Sequence, residues 1–337
     1  MNADDGKQET DRPVLRESLI HLSENRLART IATRAPGART LARRFVAGET
    51  VEDGIVAARE LNRANLSVSL DYLGESVARR EEAEAAADTY IRLLDRIAAE
   101  KLDANVSLKL TQMGQDIDLA FLRSNVGRVL DCAGGHDIFV RFDMESSQYT
   151  QPTVDFFQSV WDEGYRNIGI VLQSYMKRSA RDVAFANERG ARVRLCKGAY
   201  QEPPEVAFQD KAEVDGNFVR LMKLLVKDGI YPGIATHDEA MIRATREFVK
   251  AEGIPLERFE FQMLYGVRRD LQHDLRRAGY NVRVYVPFGE AWYPYLMRRM
   301  AERPANLLFV VNAVLAESPL RFLVGGNKDR SRNQMNA

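Results

Sequence analysis

Beyond about residue 63 two patterns alternate along the chain. Short runs of Val, Ile, Leu and Phe, bounded by Gly, Asn or Asp, are followed by longer stretches in which apolar residues recur every three or four positions. The runs have the composition of buried strands, and the stretches have the period of amphipathic helices. Eight runs are found, spaced by roughly 25 to 40 residues, the span of one strand-and-helix unit. They cover residues 66–73, 105–111, 137–145, 167–175, 191–200, 233–238, 259–266 and 282–289. The stretches EEAEAAADTYIRLLDRIAAEKL, from Glu81, and HDEAMIRATREFVKAEG, from His237, are typical of the helices between them. Eight strands alternating with helices predict an α/β fold, a (β/α)8 TIM barrel. An open doubly wound sheet shows the same alternation. However, the chain has neither G-x-G-x-x-G nor G-x-x-x-x-G-K-[ST], the two common phosphate loops of open sheets.

Ahead of the first run, residues 15–62 are helical in period and rich in Arg, with turn signals at Ala35–Gly37 and Ala47–Glu49. The expected organisation is a disordered lead over 1–14, a helical segment over 15–62, a barrel over 63–324 and a disordered tail over 325–337. The polar, acidic start has neither an apolar core segment nor an Arg-rich amphipathic one, so no secretory or transit signal is expected. The longest apolar runs, such as NLLFVVNAVL from Asn306, fall well short of the ~18 residues of a spanning helix. Lys plus Arg and Asp plus Glu both number 48. That balance argues against nucleic acid as a partner and makes any anion recognition local. The two cysteines, Cys132 and Cys196, sit in no metal-spaced motif, which suits a reducing, cytoplasmic compartment and a core role for each. The four histidines are far apart in sequence and form no H-E-x-x-H, so no metal site is expected.

In a barrel the chemistry sits at the C-terminal ends of the strands. Reading those ends gives Asp71, Lys109, Asp143, Glu145, Gln173, Tyr175, Arg194, Lys197, Tyr200, Thr236, His237, Asp238, Gln262 and Tyr285. Each has an ordinary structural explanation: Lys109 could reach to water, Asp143 could cap a helix or pair with a cation, and His237 could cap the next helix. Their convergence on one mouth is what points to a site, since buried charges must be paired to be tolerated. One more stretch belongs with them. In WYPYLMRRMAER, Pro294 suits a first helical turn, and Tyr295, Arg298, Arg299 and Glu302 fall at i, i+3, i+4 and i+7 on one face. Such a face is either a solvated one with a single ion pair or a rigid guanidinium fork for a carboxylate or phosphate. Lys109, Arg298 and Arg299 with Asp143 and Glu302 would bind a small carboxylate and stay near neutral, with tyrosines as an apolar wall.

The strand ends SLKLT, RFDME, VLQSY, VRLCKGAY, ATHD and FEFQMLYG, and above all YVPFGEAWYPYLMRRMAER, occur in that order and resemble the proline dehydrogenase family over about residues 66–320. The likeness is to its single-function form. The resemblance implies a distorted barrel holding FAD noncovalently and oxidising L-proline to Δ1-pyrroline-5-carboxylate, the first step of proline catabolism. By position in the matching motifs, Lys109, Arg298 and Arg299 would grip the substrate carboxylate, and Asp143 and Glu302 would hold those cations. Tyr200, Leu264, Tyr285 and Tyr295 would enclose the ring. Gln173, Arg194, Lys197, Gly198, Ala199, Thr236, His237 and Gln262 would contact the flavin, with Arg299 and Glu302 at its edge and Arg194 facing N5. The bulk of Tyr285 would crowd a hydroxylated ring. The family's usual acceptor, a membrane quinone, implies a peripheral visit to the inner face of the membrane, through the Arg-rich N-terminal helices or the apolar stretch after Pro304. Two other readings of the same residues are a Schiff-base lyase using Lys109 or Lys197, and a non-catalytic anion-binding barrel.

Overall fold

Thr50 begins the first helix of the barrel unit by accepting a hydrogen bond from the Asp53 N–H, while the Asp53 carboxylate accepts from the Thr50 N–H at 2.9 Å. This reciprocal cap fixes α1 (Val51–Arg63) immediately after the turn signal at Ala47–Glu49, where Gly48 takes a φ of +153°. The computed structural model describes residues 42–302. The chain divides into two compact units, residues 46–289 on the one hand and residues 1–45 with 290–337 on the other, and each is described by itself. Of the regions expected from sequence, residues 1–14, 15–41, 303–324 and 325–337 lie outside the described residues, and with them the proposed membrane-facing stretches.

The barrel unit is built from β1 (Ser67–Tyr72), α2 (Arg80–Ala99), β2 (Ala104–Leu108), α3 (Leu119–Gly135), β3 (Val140–Phe142), α4 (Ser147–Asp162), β4 (Ile168–Gln173), α5 (Ser179–Glu188), β5 (Arg192–Cys196), α6 (Lys211–Asp228), β6 (Gly233–Ala235), α7 (Glu239–Ala251), β7 (Glu260–Leu264), α8 (Arg269–Arg277) and β8 (Asn281–Phe288). All eight strands are parallel and follow chain order around a closed barrel, with β8 returning to β1 in the register Ser67↔Arg283 to Tyr72↔Phe288. Every expected strand is present, and each closes earlier than the apolar run that announced it. Lys109, Asp143, Lys197 and Thr236 are each the first residue beyond a strand.

Along each strand the side chains alternate between two faces. Val68, Leu70, Val106, Leu108, Val140, Phe142, Ile168, Ile170, Val193 and Leu195 are fully buried and pack with the helices. Fully burying one such side chain contributes roughly 1.5–3 kcal/mol. The helix α1 covers the β8–β1 seam, and a Cβ on its Gly54 would come within 3.1 Å of Phe288 and 3.3 Å of Leu70. The other strand face points into the barrel and carries Ser69, Asp71, Ser107, Arg141, Arg194, Glu260 and Gln262, all buried. A barrel usually fills this space with branched apolar side chains. Here hydrogen-bonded charges fill it, and a β4 glycine makes room for one of them: a Cβ on Gly169 would press on the Arg192 carbonyl, the Phe139 ring and the Arg141 guanidinium.

The other unit contributes, among the described residues, the turn at 42–45 and α9 (Trp292–Glu302). Its boundary at Gly289 falls inside the 63–324 span expected for the barrel. Pro294 lies in the first turn of α9, where its missing N–H leaves no helical bond unmade. The Arg299 guanidinium lies 5.4 Å from the centroid of the Tyr295 ring, so these two residues share a face at i, i+4 spacing.

Candidate active site

Arg194, from β5, is 6% exposed, and each of its three guanidinium nitrogens is engaged. Nη1 donates to Asp143 Oδ1 at 2.7 Å, Nη2 to Ser69 Oγ at 3.1 Å and Ser107 Oγ at 3.0 Å, and Nε to Gln262 Oε1 at 2.5 Å. Its charge also stacks 5.0 Å from the Tyr285 ring centroid. Tyr285 donates its O–H to Asp143 Oδ2 at 2.8 Å, so both oxygens of that carboxylate are occupied. Asp143 is held from behind as well, because its N–H continues the ladder to the Leu108 carbonyl at 2.9 Å. The hydrogen bonds run on through Gln262 Nε2 to Glu260 at 2.6 Å, to Arg283 Nε at 2.8 Å, and from Arg283 to the Val68 carbonyl at 2.8 Å. Burial alone would raise Glu260, but Arg283 outweighs it and holds the carboxyl below the usual range. Gly233 on β6 supplies the space for Gln262, since a Cβ there would collide with its amide.

Lys109 stands just past β2 with its side chain 11% exposed, and its ammonium is 3.4 Å from the fully buried Asp71. Burial works against the cation. Asp71, then Asp143 and Glu75, outweigh it, and Lys109 sits above the ordinary lysine range. Burial is also the main influence on Asp71 and raises it, with Lys109 opposing and Asp143 adding to the rise. This arrangement differs from the expected pairing of Asp143 with Lys109. Among the described residues the carboxylate paired with Lys109 is Asp71 on the neighbouring strand, and Asp143 is committed to Arg194 and Tyr285. Burial, with Asp143 and Asp71 beside it, keeps the Tyr285 phenol far above its usual range, hence protonated. Glu145 is pushed up to about 7 by burial, against the opposing influence of Lys109 and of Thr111, which donates to it at 2.9 Å.

A second group lies after β4, β5 and β6. Gln173 is buried, and its Oε1 has no hydrogen-bond partner among the described residues. Lys197 forms ion pairs with Asp238 at 2.7 Å and with Asp215, and both carboxylates are held below their usual range although burial opposes it. Gly198 has a φ of +114°, and a Cβ there would enter the Tyr175 ring, so the K-G-A-Y turn requires glycine for two reasons. Ala199 and Tyr200 follow it, half-buried, with Tyr200 in electrostatic reach of Lys109. The His237 Nε2 accepts from the Leu264 N–H at 2.9 Å, which assigns a neutral imidazole with its proton on Nδ1. His237 therefore does not cap α7. Asp238 does, accepting from the Ala240 N–H at 2.9 Å, and its own N–H donates to Thr236 Oγ1 at 3.0 Å.

Thus Lys109, Asp143, Arg194, Gln262 and Tyr285 converge, as do Lys197, Gly198, Thr236, His237 and Leu264 in the loops of the same barrel. Tyr295 and Arg299 are on α9, in the other unit. The backbone of Arg298 and Glu302 is helical there, and their side chains lie outside the described residues. Sequence reasoning left out Ser69, Ser107, Glu75 and Glu260, and gave Asp71 no partner. The alternation S-V-S-L-D in β1 carried the signal for Ser69 and Asp71, since polar residues two apart share the inward face. Both cysteines are half-buried, pack against the core and are in no disulfide.

A family model described as proline dehydrogenase matches residues 55–312. Proline dehydrogenase 1 of Bacillus subtilis subsp. natto is 39% identical over 302 residues, covering 90% of this chain and 99% of that protein. Proline dehydrogenase of Deinococcus radiodurans is 42% identical over 283 residues, covering 82% of this chain and 90% of the relative. Among solved structures, proline utilization A (PutA) from Bdellovibrio bacteriovorus, inactivated by N-propargylglycine, superposes with a TM-score of 0.75 at 26% identity. It covers 94% of this chain, which spans 38% of the PutA chain.

Proposed function

We infer the function on the premise that this chain belongs to the proline dehydrogenase family, a flavin-dependent family, and that it oxidises proline to Δ1-pyrroline-5-carboxylate. The finer reading is FAD as the flavin, L-proline as the substrate and a quinone as the electron acceptor. Two observations support a flavin: the buried Gln173 Oε1 that no donor among the described residues satisfies, and the Lys197–Gly198 turn, whose amide and ammonium suit an anionic group. FAD would be held by Gln173, Arg194, Lys197, Gly198, Ala199, Thr236, His237 and Gln262, with Arg299 and Glu302 at its edge. When bound, the flavin supplies the acceptor for the hydride lost from the carbon next to the proline nitrogen.

The chain's own part is binding and orientation. Lys109, kept cationic by Asp71, contributes a charge for the substrate carboxylate, and the matched motif gives Arg298 and Arg299 the same task. Two-point capture of that carboxylate fixes the ring and converts the encounter into an intramolecular one. The matched motifs give Tyr200, Leu264, Tyr285 and Tyr295 the task of enclosing the ring, and Asp143 and Glu302 that of orienting the cations. Arg194 is immobilised by four side-chain partners and presents a fixed positive charge in a site of low dielectric, where it is worth most.

The lyase reading is disfavoured by the same geometry. A Schiff-base lysine must be uncharged to attack, whereas Lys109 is held as a cation and Lys197 is paired with two carboxylates. The single observation that carries the proposal is the Lys109–Asp71 and Arg194–Asp143–Tyr285 array at the strand ends of a barrel whose sequence matches the family. The test is an absorption spectrum of the purified protein before and after anaerobic addition of L-proline. A yellow protein bleached by proline is expected. A colourless protein, or trapping of substrate on a lysine by borohydride, would overturn it. Among the described residues no helix is long and apolar enough to cross a membrane, so delivery of electrons to a membrane quinone is proposed to occur by a peripheral encounter.

A further inference from the structure

Helix α3 ends in the sequence Cys132-Ala-Gly-Gly-His136, and His136 is its C-cap residue. Cys132 and His136 are four apart, so they project from one helical face. That face packs on α2, which brings in Asp95. The His136 Nε2 is 2.9 Å from Asp95 Oδ1, the Cys132 Sγ is 3.7 Å from the same oxygen, and all three ligand atoms lie within 4.8 Å of one another. Among the described residues, neither Lys nor Arg pairs with Asp95. Its neighbour Arg96 is committed to Glu52 and Glu100, and Asp131 accepts from Tyr165.

We propose that Asp95, Cys132 and His136 form a zinc-binding site that clips α2 to α3, with water as the fourth ligand. Thiolate, imidazole and carboxylate are the ligands a borderline-soft ion such as Zn2+ selects over Mg2+ or Ca2+. Bonds of about 2.0–2.3 Å in a tetrahedron place ligand atoms roughly 3.3–3.8 Å apart, so the Cys132–Asp95 spacing already fits and the Asp95–His136 contact opens slightly. The site also lies at the C-terminal end of a helix, where the macrodipole favours a cation. On binding, the Cys132 thiol gives its proton to solvent as the sulfur–zinc bond forms, and His136 presents its Nε2 lone pair with its proton on Nδ1. The metal-free thiol, raised by burial and by Asp95, stays protonated and unreactive until a metal displaces that proton. The ligands come from the ends of α2 and α3 that lead into β2 and β3. They therefore lie at the N-terminal face of the barrel, which serves stability, and away from the strand ends that carry the chemistry.

The flavin-loaded protein is dialysed against EDTA, and Zn2+ binding is measured by equilibrium dialysis, with Co2+ as a spectroscopic probe. The expected result is one Zn2+ per chain at micromolar affinity, a sulfur-to-cobalt charge-transfer band in the near ultraviolet, a melting temperature raised by several degrees, and unchanged proline turnover. Cys132→Ser and His136→Gln each weaken Zn2+ at least tenfold, and Cys132→Ser abolishes the cobalt band, whereas His273→Gln changes none of these. Zinc binding in Cys132→Ser and His136→Gln that equals that of the wild type, or wild-type binding absent below about 100 µM, overturns the proposal.

Discussion

Replacing Asp71 by Asn removes the charge nearest Lys109 and keeps the shape of the side chain. At 3.4 Å, and with the effective dielectric of about 20 that suits protein sites, the lost attraction is about 5 kcal/mol. Asp143 and Glu75 still act on the lysine, and the amide dipole recovers part of the loss, so a net cost of roughly 2–3 kcal/mol is expected, within the range for truncating one partner of a buried charge pair. The substrate carboxylate feels that cost through Lys109. It corresponds to a fall of about 30- to 150-fold in kcat/KM for L-proline at neutral pH.

The pH dependence gives the sign. In the wild type Lys109 lies above its unfolded value of 10.5, so its contribution to stability and binding is complete below that pH and is lost as pH rises through the folded value. In Asp71→Asn, burial loses its strongest opponent, with Asp143 and Glu75 remaining, and pulls the lysine down, so the deficit relative to wild type widens as pH rises above neutral. The assay is steady-state kcat/KM with a dye acceptor from about pH 6 to 9, with Lys109→Met as the control that removes the extra dependence. Proline's own amine titrates identically in all three proteins and cancels in the ratio. Activity within threefold of wild type at neutral pH, with a parallel alkaline limb, would refute both the pairing and the role of Lys109.

Glu145→Gln tests the strain of a buried carboxyl. Because Glu145 is raised from 4.5 to about 7, its contribution is present below the lower value and lost through the upper, so wild type should lose roughly 3 kcal/mol relative to the variant across that window, read from denaturant midpoints. Gly198→Ala places a methyl group in the Tyr175 ring at a positive φ, and at least 1–3 kcal/mol of destabilisation with loss of bound flavin is expected in melting and visible absorbance. A fully loaded, unshifted Gly198→Ala would contradict the assignment of that turn. Arg299→Ala should retain flavin absorbance and lose proline kcat/KM by several kcal/mol, on the scale of a removed charged hydrogen-bond partner, and normal turnover would refute the carboxylate grip.

The eight strands were legible because apolar runs and helical periods alternate without interruption, but their ends were not. Hydropathy does not record where a ladder stops. It stops where the chain turns into a loop or a helix cap, as at Thr236 and Asp238, and the runs read from sequence therefore include Lys109, Asp143 and Lys197, which stand just beyond β2, β3 and β5. Lys109, Asp143, Lys197 and Thr236 remain strand-end residues despite this error, since a residue one step past the strand still faces the mouth. Partner choice was beyond the sequence. The expected partner of Lys109 was Asp143, and the choice of Asp71 instead is made by register: β1 lies directly beside β2, with Asp71 opposite Ser107, while Asp143, just past β3, meets Arg194 from β5 across the barrel interior.

Glycines set part of that geometry. Gly169 and Gly233 sit within expected strand runs, and each is the empty space that a long side chain from a neighbouring strand fills, Arg141 in one case and Gln262 in the other. The same blindness to tertiary neighbours hid the Asp95, Cys132 and His136 cluster. The spacing of Cys132 and His136 on α3 is only half a metal motif, and its third member comes from another helix, so no linear pattern contains it. Spacing along a chain reports ligands that share an element. Ligands assembled by packing become visible only when the barrel has wrapped α2 against α3.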